Sequence, residues 1–371
     1  MPTLPRTCPK AHSGQAAHCF TVIILDAGQG DATLLVYPDD SLVLVDCGSN
    51  QNRNVVGHEI EKVLDAYLAR TGNRLKALVL THPDQDHYNL VEALIVNKGV
   101  QVGTLFFAGT TGDYGDLGDW IRDNRDNPTT IDKVVALQNA YFSRSPEPEL
   151  SFDGQGQAPD VDVRILSANV GDYRIKSDAN PNSVVLLVTY LNINIFLMGD
   201  ATTQTEGFIV NINKFRGDLT KLLAGRSTVL KAGHHGSNTS TGSAWLDLIE
   251  PKVVFISSDT QSFGGVSIPR SSVIDRILNK GTLRNFMSHR YVQYTDSRDR
   301  HEHVKTEAMV YTTLYYLNFK KKKKKNQKRP FVSYGTTWYY TITGDEKNGA
   351  FFRDDVYIDP SVGWDMIDTP F

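Results

Sequence analysis

The sequence predicts an α/β fold in which two β-sheets lie face to face between outer layers of helix. Short apolar runs rich in Val, Ile and Leu recur along most of the chain, bounded by Gly, Asp and Asn, as strands are. They come first as a group and then alternate with amphipathic segments, the order a helix-flanked pair of sheets requires. Histidines and aspartates gather directly after several of these runs, at strand ends, where α/β folds mount functional side chains.

Phe20 to Leu25, Thr33 to Tyr37 and Leu42 to Asp46 read as three strands joined by tight turns. Val56, Ile60, Val63, Leu64, Tyr67 and Leu68 recur at helical spacing and predict a helix over 55–69. A strand at 76–81, a helix at 90–96 and a strand at 102–107 follow. The stretch 109–159 is less periodic, with a helix near 114–125, and reads as an insertion able to shape a substrate entrance. Strands return at 161–166, 183–190 and 194–198, the last two as a hairpin. Two more, at 227–231 and 252–257, flank a helix at 244–248, and a last helix covers 270–278. Residues 1–18 read as a loose tail before a main domain at 19–285. From 286 to 371 the chain is Tyr-, Thr- and Trp-rich. There 308–319 and 332–343 predict a β-rich extension, a long hairpin with the run Lys320 to Lys325 in its loop.

A 371-residue chain with 40% hydrophobic and 22% charged residues is an ordinary globular composition. No apolar run is long enough to span a bilayer, which excludes a channel. Cys8, Cys19 and Cys47 are unpatterned, so a disulfide framework is not expected and a cytoplasmic setting is. The net charge of −3 gives no global attraction to nucleic acid, and no protein partner can be read from it.

The chemistry concentrates in three places. His82-Pro83-Asp84-Gln85-Asp86-His87 packs two imidazoles and two carboxylates into one turn after the strand Ala77 to Thr81. Groups that lose so much solvation together need a partner, and a divalent cation serves all of them. Gly199-Asp200 closes the strand ending at Met198, and Gly233-His234-His235-Gly236-Ser237 follows the strand ending at Lys231. Three carboxylates beside the histidines make an oxygen-rich set, for which Mn²⁺ is as suitable as Zn²⁺.

Together these segments resemble the metallo-β-lactamase fold superfamily, and within it the ComEC/Rec2-type branch. That branch supplies the hydrolase domain of bacterial DNA-uptake channels and also occurs free-standing. Its motifs are matched by Asp26-Ala27-Gly28-Gln29-Gly30-Asp31-Ala32, Leu44-Val45-Asp46-Cys47-Gly48 and Thr81 to His87. Further matches are Asn182 to Leu186, Gly199-Asp200-Ala201 and Leu230 to Ser237. Two places depart: Tyr88-Asn89 stands where Gly-Gly is frequent, and Ile268-Pro269 where His-Pro is usual.

The resemblance implies an αββα four-layer sandwich and metal-dependent hydrolysis with one or two divalent ions. The favoured substrates are phosphodiesters of DNA, RNA or nucleotides. His82 and Asp84 would hold one ion, Asp86 and His87 the other, and Asp200 would bridge them. His234 or His235 would complete a shell or protonate the leaving oxygen, which makes Asp86, His234 and His235 the catalytic candidates. Asn182, Ser183 and Ser237 are candidates for substrate contact, and Asp26, Asp31 and Asp46 for braces behind the ligands. The same fold acting on a lactone, thioester or cyclic nucleotide, or a weakly active binding module, are the alternatives.

Overall fold

The computed structural model describes residues 19–50, 53–137, 143–171, 178–258, 262–263, 266–282, 285–288, 293–294, 301–302, 331–334, 338–343, 349–353 and 356–358. The expected tail at 1–18, the hairpin arm at 308–319 and the lysine run lie outside the described residues.

The first sheet is built from β1 (Cys19–Ile24), β2 (Ala32–Val36), β3 (Leu42–Cys47), β4 (Arg74–Leu80), β5 (Gln101–Ala108) and β6 (Ile131–Leu137), side by side in that order. β1 to β3 run antiparallel and β3 to β6 parallel. The second sheet carries β7 (Val161–Ser167), β8 (Val185–Tyr190), β9 (Ile193–Leu197), β10 (Ser227–Lys231) and β11 (Val253–Ile256), with β9, β10 and β11 parallel. C-terminal strands extend both sheets: Asn285–Ser288 and Phe331–Tyr334 continue from β11, while Trp338–Thr343 pairs with β1. The single strand expected over 332–343 is therefore two, one in each sheet.

Strand alternation builds the layers. Val43, Val45, Ala77 and Val79 of the first sheet face Ile195, Leu197 and Val229 of the second across a dry interior. Leu42, Leu44, Leu78 and Leu80 point the other way, against Ile60, Leu64 and Leu68 of α1 (Arg53–Leu68). Phe196, Met198 and Leu230 pack outward on Ile209 of α4 (Thr203–Arg216), Trp245 of α6 (Ser243–Ile249) and Ile274 of α7 (Ser271–Leu278). Among the described residues the other α-helices are α2 (Gln85–Tyr88), α3 (Gly115–Asp123) and α5 (Asp218–Leu223), and the helix expected at 90–96 is a π-helical turn at Glu92–Val96. The predicted αββα sandwich is the observed architecture.

Several elements were hidden from the pattern, α4, α5 and β6 among them. α4 buries Thr205, Glu206 and Asn213 beside Ile209, so its inward face is not an apolar stripe. β6 lies at the sheet edge with Asp132 and Lys133 exposed, which masks its alternation. It falls inside the expected insertion and widens the first sheet.

Parallel strands of both sheets end at the same seam, and a close backbone approach seats the first histidine loop there. A Cβ on Gly48 would lie 2.4 Å from the carbonyl carbon of Asp86 and 2.5 Å from the His87 nitrogen. Gly48→Ala should therefore destabilise the chain by about 1–3 kcal/mol, the usual cost of overpacking a rigid contact. Urea denaturation measures it. An unchanged midpoint would mean that the loop is not seated on β3.

Candidate metal centre

Asp46 organises the first half of the site. Leu42 and Leu44 face the helices, and strict alternation would send Asp46 after them, yet Cys47 takes that place. A register shift opposite, between Ala32 and Thr33, and a left-handed φ of 56° at Asp46 re-aim its carboxylate toward the end of β4. There it accepts from the Thr81 backbone N–H (2.7 Å), the Thr81 hydroxyl (2.7 Å) and Nδ1 of His87 (2.8 Å). The Thr81 hydroxyl, its proton committed to Asp46, lies 3.2 Å from Nδ1 of His82 and accepts from it.

The second half follows the same rule. Nδ1 of His235 lies 2.8 Å from the Ser257 carbonyl, which can only accept. Nδ1 of His234 lies 2.8 Å from the Thr239 hydroxyl, which itself donates to Ser237 Oγ. All four imidazoles thus keep a proton on Nδ1, and Nε2 is the nitrogen each can offer to a ligand. Buried Nε2 atoms of His82, His87 and His235, with Asp200 Oδ1, have no hydrogen-bond partner. They meet around Asp200: Nε2 of His87 is 3.2 Å from its Oδ1, and Nε2 of His235 and His234 are 3.3 and 3.9 Å from its Oδ2. Asp86 Oδ2 lies 3.4 Å from Nε2 of His235 and accepts from the Asn50 amide at 2.9 Å. Asp84 Oδ2 lies 3.4 Å from Nε2 of His82, on a side chain 44% exposed at the mouth.

Two triads, His82–His87–Asp200 and Asp86–His87–His235, have ligand atoms within 4.8 Å of one another. Once Nε2 gives up its proton the cluster is one of acceptors without donors, which fits a divalent cation. The charges agree. Burial opposes ionisation of Asp200, but the imidazoles of His235, His87 and His234 outweigh it and hold the carboxyl well below its usual range. Burial likewise opposes charge on His235, yet Asp200, Asp86 and Asp31 push its imidazole up to about 10. His87 is raised well above the usual value in the same way, chiefly by Asp200 and Asp46 against its own burial. Without metal, protons supply the positive charge these carboxylates demand. His234 differs: burial lowers it, and it is the one imidazole of the four that reaches the surface.

The other expected residues lie around this cluster. Ser183 is fully buried, its Oγ accepting from the Asp200 N–H (3.1 Å), so it shapes the Asp200 turn. Asn182 is buried with its Oδ1 unpartnered, and Ser237 Oγ accepts from Thr239. Asp26 caps its own turn through the Gly28 N–H (3.1 Å), and Asp31 lies behind His87 and His235. Ile268-Pro269 packs beside the histidine turn: a Cβ on Gly236 would lie 2.6 Å from Pro269 Cβ. Thr81, Asn50 and the Ser257 carbonyl were not singled out from the sequence. Thr81 sits inside a motif and could have been.

A family model described as the metallo-beta-lactamase superfamily matches residues 25–258. ComE operon protein 3 of Bacillus subtilis is 29% identical over 248 residues, covering 64% of this chain and 28% of that protein. Recombination protein 2 of Haemophilus influenzae is 26% identical over 273 residues, covering 70% and 28%. The chain therefore spans little more than a quarter of the length of these relatives. Among solved structures, the short form of human tRNase Z matches with a TM-score of 0.35 and 16% identity, over 65% of this chain and 93% of that one.

The raised imidazoles set the pH dependence of the metal-free chain. Their charge stabilises the fold fully below pH 6.5, the ordinary histidine value, and is lost as pH rises through their raised values, about 10 for His235. The depressed carboxyls of Asp86 and Asp200 contribute above 3.8, and lose that as pH falls through their lowered values. Urea midpoints of chelator-treated protein should fall from pH 6.5 to 10, and saturating Mn²⁺ should flatten the decline by replacing the protons. A flat profile without metal would contradict the charge assignment.

Proposed function

Because the chain belongs to the metallo-β-lactamase superfamily, a superfamily of metal-dependent hydrolases, we propose that it is a phosphodiesterase acting on DNA or RNA through a dinuclear centre. The observation that carries this reading is the convergence of Nε2 atoms without hydrogen-bond partners and of carboxylates on Asp200. His82, Asp84 and Asp200 would hold one cation, and Asp86, His87 and His235 the other, with Asp200 between them. When bound, divalent cations there supply Lewis acidity and neutralise charge growing on phosphoryl oxygens.

The chain's own residues do the rest. Thr81, Asp46 and the Ser257 carbonyl hold three imidazoles by Nδ1 so that none can rotate its Nε2 away. His234, neutral near pH 7 and open to solvent, can take a proton at Nε2 from an attacking water and return it to the leaving oxygen. Thr239 fixes that tautomer. Asp84, 3.4 Å from Nε2 of His82, adds a carboxylate oxygen to the ligand set and hardens it toward Mn²⁺. Nucleic acid as substrate is further supported by the names of the relatives, which refer to recombination and to the ComE operon.

The test is hydrolysis with Mn²⁺ or Zn²⁺ of single-stranded DNA, double-stranded DNA, RNA and cyclic nucleotides. Asp86→Ala should abolish turnover. His234→Ala should lower kcat by about 10²–10⁴-fold, the range for removing a general acid–base group, with metal content unchanged. If the wild-type chain cleaves none of the four faster than Asp86→Ala does, the phosphodiesterase reading fails.

A further inference from the structure

Beneath the site lies a charged pair that the mechanism above does not use. Lys231 ends β10, and alternation with Val229 turns its side chain into the space between the sheets. It is 3% exposed and its ammonium contacts Asp31 Oδ2, 200 residues away in the loop that leads into β2 of the other sheet. A buried ammonium is costly unless a partner compensates it, so its place needs a reason.

Asp31 joins the two halves of the centre. Its backbone N–H donates to the Asp86 carbonyl (3.0 Å) and its carbonyl accepts from the Gly48 N–H (3.0 Å), tying it to the first histidine loop. Its carboxylate sits behind one imidazole from each loop, 3.8 Å from Nδ1 of His87 and 4.0 Å from Nδ1 of His235. Both protons are already given elsewhere, to Asp46 and to the Ser257 carbonyl. A carboxylate without a cation at this point would compete for them and rotate both rings. Asp31, Asp46 and His87 also form a third group of metal-ligand type, but there the lysine ammonium already supplies the positive charge.

We propose that Lys231 is a positioning residue: its ammonium occupies Asp31 across the seam of the two sheets and so keeps His87 and His235 aimed at the metal positions. The inference rests on the metal reading of the site and not on any substrate. Lys231→Met leaves Asp31 uncompensated, whereas Lys231→Met with Asp31→Asn removes both charges and with them the competition for the Nδ1 protons.

The measurement is Mn²⁺ and Zn²⁺ affinity of the full chain by competition with a chromophoric chelator, on protein whose folding is verified by circular dichroism. Lys231→Met should weaken binding about 10–100-fold, the range for outer partners of metal ligands. The double variant should recover at least tenfold of a hundredfold loss, and Lys231→Arg should stay close to wild type. A purely structural role would lower the melting temperature and leave the affinity of the folded fraction unchanged. That result, or a double variant no better than Lys231→Met, overturns the proposal. If Lys231→Met does not fold, affinity in the double variant more than tenfold below wild type overturns it, and wild-type-like affinity supports it. Wild-type chain that takes up neither metal overturns the metal reading first, which separates the two failures.

Discussion

Everything at the seam depends on how the histidines are held from behind. An imidazole has two nitrogens, and an acceptor that takes the proton of one decides what the other can do. Here Thr81, Asp46, Ser257 and Thr239 each claim an Nδ1, and the Nε2 atoms are left facing Asp200. The acceptors come from strand ends of both sheets and the loops that follow them, so the sandwich itself fixes the aim. Packing of Val43, Val45 and Val79 against Leu197 and Val229 keeps those ends in register.

The same seam concentrates negative charge. Asp46, Asp86, Asp200 and Asp31 are all buried within a few ångströms of the imidazoles. In the metal-free chain, protonated His87 and His235 and the Lys231 ammonium balance them. Burial strengthens each of these interactions and raises the cost of leaving any one unmade. A centre of this kind binds cations at the expense of protons, which couples fold stability, pH and metal uptake.

Much of this was legible in the sequence because strand ends and dense polar turns are local patterns. The runs before His82, Asp200 and His234 marked three strands, and all three ends meet. Tyr88, a departure from the family pattern, stacks edge-on against Tyr114 at 5.1 Å and links the histidine loop to α3. The parts that escaped are long-range or lack a side-chain signature. No local rule pairs Asp31 with Lys231, and a backbone carbonyl such as that of Ser257 leaves no mark in the sequence. α4 was missed because its buried face is polar: Glu206 turns inward to accept from the Thr241 and Gly242 N–H groups.

As proposed, these side chains would hold two cations, with Asp200 between them. Anomalous diffraction at the manganese edge, from crystals grown with Mn²⁺, tests it most directly. Two peaks are expected, one beside His82 and Asp200 and one beside Asp86, His87 and His235. A density map with no peak at either position, or a single peak away from Asp200, would contradict it.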